Sequence, residues 1–109
     1  MHETTRLLTN SADVPLFVWI EPWAEEIQIP TGHTYKFVGS GTEKGELEVE
    51  NRDHVAIVYG WPTSTLTVFD GDTTIWETDN PVPPVPSGVS VKSFVKQLFH
   101  SPRNEEASE

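Results

Sequence analysis

The sequence predicts an all-β fold: an antiparallel β-sandwich or barrel of about eight short strands, followed by one short C-terminal amphipathic α-helix. Three observations predict it. Runs of β-branched and aromatic residues recur through the first 80 residues, separated by turn-forming residues. An Asp-Gly step joins two of these runs, where a tight hairpin turn needs a positive φ. Beyond the last run the apolar period changes, and Val91, Phe94, Val95, Leu98 and Phe99 fall on one face of a helix.

The elements follow in chain order. Residues 5–9 (Thr-Arg-Leu-Leu-Thr) open the series. Residues 14–20 are apolar on both faces, with a proline near the start, and Trp19 within this run is expected in the core. Residues 25–29 alternate with period two, Pro30-Thr31-Gly32-His33 makes a turn, and residues 34–38 form the next strand. The glycines of residues 39–45 suggest a flexible loop. Residues 46–50 give the cleanest alternation, with Glu46, Glu48 and Glu50 opposite Leu47 and Val49, and Asn51-Arg52-Asp53 turns the chain into residues 54–59. Residues 65–69 and 73–78 form a hairpin around Asp70-Gly71-Asp72. Trp23 and Trp61 each precede a similar strand–turn–strand pattern, an echo that duplication would explain and that the generic strand–turn–strand grammar of any β protein explains more simply.

Residues 81–88 (Pro-Val-Pro-Pro-Val-Pro-Ser-Gly) cannot enter a helix interior and read as an extended Pro-rich linker. Residues 89–100 form the amphipathic helix, with Ser90 as its N-cap and Ser101-Pro102 as its stop. A helix this short must bury its stripe, and the expected surface is the β domain of residues 1–80. A partner chain, or a second copy of the chain joined through the helix as a dimer, is the alternative. Residues 101–109 read as a disordered polar tail.

The charge of −10 on 109 residues has a definite address. Residues 1–80 hold 14 Asp and Glu against four Lys and Arg, whereas residues 81–109 hold three of each. Nucleic-acid backbones and anionic membrane surfaces are therefore not expected partners. A protein partner with a basic surface is, and Lys92 and Lys96 of the helix suit the acidic body. The chain has no cysteine, which excludes disulfides, thiolate metal sites and a thiol nucleophile. No apolar run reaches the roughly 18 residues of a membrane span. Met1-His2-Glu3-Thr4-Thr5-Arg6 lacks the pattern of a secretory signal, so a cytoplasmic location is the default expectation.

No catalytic or metal-binding spacing stands out. The four histidines show none of the usual ligand spacings, and no cofactor is expected. Residues 29–35 resemble the Pro-x-Gly turn of the cupin β-barrels, but Tyr35 stands where that family has a histidine, so no metal site carries over. Glu21 with Glu25 or Glu26, beside Trp23, has the composition of a glycosidase acid–base pair, which makes a small carboxylate hydrolase one functional reading. A self-assembling structural protein using the helix is another. The leading expectation is a non-catalytic binding or protein-interaction module, with Trp23, Trp61, Glu21 and Glu25 as its ligand-binding residues, because aromatic side chains at strand ends stack on sugars or anchor partners.

Overall fold

The computed structural model describes residues 1–85 and 88–99. Eight strands run in chain order: β1 (His2–Thr9), β2 (Leu16–Glu21), β3 (Glu25–Ile29), β4 (Thr34–Gly41), β5 (Glu48–Arg52), β6 (Val55–Tyr59), β7 (Ser64–Asp70) and β8 (Thr73–Thr78). One helix, α1 (Val91–Phe99), follows. The strands form two separate four-stranded sheets, β1-β4-β7-β8 and β3-β2-β6-β5, so the fold is a sandwich rather than a barrel.

Hairpins supply the local pairing. β2 and β3 run from Leu16↔Ile29 to Ile20↔Glu25, and β5 and β6 close at Arg52↔Val55. β7 and β8 close at Asp70↔Thr73, with positive φ at Gly71 and none at Asp72, the pattern of a type II′ turn. One pairing departs from the antiparallel expectation. The chain leaves the second sheet after β3, crosses to β4 and returns as β5, so β6 lies parallel to β2, Phe17↔Val55 through Glu21↔Tyr59. The Trp23 and Trp61 segments also diverge here. β3 stays in the sheet of β2, whereas β7 crosses to the other sheet, so the echo between them is not a structural repeat.

Strand alternation places the core. Val18, Ile20, Ile29, Ala56 and Val58 of the second sheet face Phe37, Leu66 and Val68 of the first, and all are buried. Trp61 closes one end, and this explains the glycines read as a flexible loop. A Cβ on Gly39 would meet the indole at 2.6 Å and one on Gly45 at 2.2 Å, so these glycines are small in order to seat Trp61. Residues 39–41 belong to β4. The expected strand 46–50 begins two residues later, at Glu48, and Leu47 is buried in the core just before it.

The Pro-rich stretch is not a free spacer either. Val82 is buried, accepts a bond from Thr63 N–H at 2.9 Å and donates one to the Ser64 carbonyl at 2.9 Å. It can do so because, lying between two prolines, it still has an N–H. The chain then enters α1 with Ser90 Oγ accepting from Ser93 N–H at 3.1 Å, an N-cap bond to the third helical residue. Val91 and Val95 bury themselves against Tyr59 and Val82, which lays α1 on the outer face of the second sheet. Pro86, Ser87, His100 and the tail 101–109 lie outside the described residues. No helix among those described is long and apolar enough to cross a membrane.

Candidate functional site

The outer face of the second sheet is a grid set by its register. Across the middle row run Glu26 of β3, Trp19 of β2, Ile57 of β6 and Glu50 of β5. Beside it lie Gln28, Phe17, Val55 and Arg52 on one side, and Glu21, Tyr59 and Glu48 on the other. The two central strands thus carry an aromatic and aliphatic stripe, and the two edge strands carry mostly carboxylates. Among the described residues, α1 covers part of the stripe, through Val91 and Val95. What it leaves open is a groove of about 630 Å³, whose apolar lining comes from Trp19, Val55, Ile57, Tyr59 and Val95. Glu21, Arg52 and Asp53 complete its wall. Ala24 and Asp53, both at this groove, adopt positive φ in the turns that bound it.

Trp19 corrects the core expectation. Val18 and Ile20 on either side of it are fully buried, so alternation turns Trp19 outward, where it is 39% exposed. A strand apolar on both faces gives no sign of which face is inward, and Trp19 was therefore missed as a site residue.

The sequence-predicted residues are dispersed. Trp61 is 5% exposed and its Nε1 donates to the Glu43 carbonyl at 2.8 Å. A smaller cleft, of about 260 Å³ between Glu46, Glu48, Pro62 and Val91, reaches it. Trp23 is half-buried, donates to the Asn80 carbonyl at 2.8 Å and meets Trp76 edge-on at 6.0 Å. Both rings serve the protein's own packing. Glu21 lines the groove, but Glu25 pairs with inward-facing Ile20 and lies on the opposite face of the sheet. Glu21 and Glu25 therefore lie on opposite faces of the sheet, whereas Glu21 and Glu26 share the outer face.

The electrostatics of the grid centre on Glu50. Its Oε2 accepts from Arg52 Nη2 at 2.8 Å and Nε at 3.0 Å, its Oε1 lies 3.2 Å from Lys96 Nζ, and Tyr59 O–H donates to it at 3.3 Å. The Arg52 bonds, with Lys96 behind them, hold the Glu50 carboxyl down at about 2. Burial, then the neighbouring Glu50 charge, push the Tyr59 phenol up to about 12. Glu50 thus joins strand, hairpin and helix through one carboxylate. Elsewhere, His33 Nδ1 lies 2.9 Å from Asp70 Oδ2 across an exposed turn. Among the described residues no three His, Asp or Glu side chains converge on a point that would hold a metal ion. The chain matches no protein-family model, no curated protein and no solved structure.

Proposed function

We propose that the chain is a non-catalytic binding or protein-interaction module, and that it binds through the groove between α1 and the outer face of β2 and β6. One observation carries this reading: a tryptophan in the middle of a sheet, exposed, on the floor of an apolar groove. Burying an indole is strongly favourable, and a fold that leaves one open beside a helix has kept contact area for another molecule. The volume and lining, mostly apolar with a few charged groups, are those of ligand sites in general. Of the residues expected from the sequence, Glu21 belongs to this surface.

The test uses the indole N–H signals of the four tryptophans in a fragment screen by NMR. Bound fragments move the Trp19 signal and leave that of Trp61, whose N–H is held by Glu43. Trp19→Ala abolishes binding while keeping cooperative unfolding, because the ring lies outside the core. Hits that move Trp23 or Trp61 and survive Trp19→Ala would overturn the assignment.

A further inference from the structure

We propose that the occupant of this groove is an extended peptide segment of a protein partner, in which an apolar side chain is flanked by Arg or Lys. The inference rests on the binding reading above and adds the chemistry of the ligand. It starts from the balance of charge on the grid. Arg52, the one cation lining the groove among the described residues, is bonded to Glu50, and so is Lys96 of α1. Both local cations are spent on a single carboxylate. Glu26 and Asp53 have no side-chain hydrogen bond or ion pair among the described residues. Glu26 stands directly across from Trp19, and Asp53 closes the far end of the groove.

An exposed indole beside uncompensated carboxylates is the arrangement that favours a guanidinium or ammonium group. The ring attracts the cation through its face and the carboxylate through its charge. The apolar floor of Ile57 and Val55 takes the neighbouring aliphatic part. Geometry favours a chain over a compact ligand. The groove follows the parallel strands from Val55 to Glu21, five residues, or about 13 Å of strand, which an extended segment of similar length matches. Charge argues against a second copy of this protein as the occupant, since each copy brings a net −10 and an acidic face to the contact.

The experiment titrates the full chain by calorimetry with three blocked hexapeptides of alternating pattern: leucine with arginine, leucine with glutamine, and leucine with glutamate. The arginine peptide binds about tenfold tighter than the glutamine peptide at low salt, the glutamate peptide does not bind, and the arginine advantage shrinks as salt rises. Trp19→Ala weakens the arginine peptide about tenfold. Glu26→Gln weakens it about threefold and leaves the glutamine peptide unchanged, as an exposed charge contact requires. Equal binding of the arginine and glutamine peptides would overturn the cationic assignment and leave the groove standing. Failure of all three peptides while fragments still move the Trp19 signal would overturn the peptide and keep the site. Concentration-dependent sedimentation abolished by Trp19→Ala would assign the groove to a second copy and overturn the proposal.

Discussion

Trp19 and Trp61 are the same residue type with opposite placements, and their neighbours decide which is which. Trp61 can enter the core because Gly39 and Gly45 have no side chain where the indole lies, and the Glu43 carbonyl fixes its N–H. Trp19 has Val18 and Ile20 beside it, already filling the inward positions. The packing of Trp61 can be tested at Gly45. A methyl group there would sit 2.2 Å from indole Cγ and Cδ1, and an indole bonded to Glu43 cannot swing away. Gly45→Ala is therefore expected to destabilise the fold by about 1–3 kcal/mol, the usual cost of overpacking, read as a lower midpoint in urea. Gly71→Ala is the contrast: nothing lies within 4 Å, but φ is +61°, so about 1–3 kcal/mol of backbone strain, with no overpacking, is the whole expected effect. A Gly45→Ala midpoint equal to wild type would mean that the loop does not clasp the ring.

At the scale of elements, what could be read from the sequence was local. β3 and β8 coincide with residues 25–29 and 73–78, because a period-two pattern between turn residues leaves few alternatives. The Ser90 cap was legible for the same reason, since the bond spans three residues. The parallel pairing of β2 with β6 was not, because it joins segments almost 40 residues apart in a register that no local pattern encodes. The groove failed with it: it exists because β6 brings Ile57 beside Trp19 and Trp19 stays exposed beside α1. The anchoring of Val82 was hidden by the prolines around it, whose composition reads as spacer whatever one backbone N–H does. The helix offers its own test. Nine residues are marginal as an isolated helix, so α1 depends on Val91, Val95 and its cap. Ser90→Ala removes the bond to Ser93 and is expected to cost about 1 kcal/mol. That loss should appear as faster hydrogen exchange in α1 with the sandwich strands unchanged. Uniform loss of protection across both sheets would instead make the helix part of one cooperative unit.

For the molecule as a whole, the same carboxylate that fixes the helix sets how stability follows pH. In the folded chain Glu50 titrates near 2 rather than its ordinary 4.5, mainly through Arg52 and then Lys96. A folded value below the unfolded one means that the unfolded chain takes up the proton first. The stabilisation is complete above about 4.5 and is lost as pH falls toward 2. Lys96 belongs to α1 and Arg52 to β5, so protonation loosens the helix from the sheet at the step that weakens the hairpin. Tyr59 sets the opposite limb. Its folded value, about 12, lies above the ordinary 10, so its contribution is complete below 10 and lost as pH rises from 10 to 12. Glu50→Gln should lower stability at neutral pH and flatten the acid limb between 4.5 and 2. Tyr59→Phe should flatten the alkaline limb and leave the acid limb in place. Urea midpoints collected from pH 2 to 12 on the three proteins separate these effects. An acid limb as steep in Glu50→Gln as in wild type would assign the loss to other carboxylates of the acidic body, and α1 would then be held to the sheet by Val91 and Val95 rather than by charge.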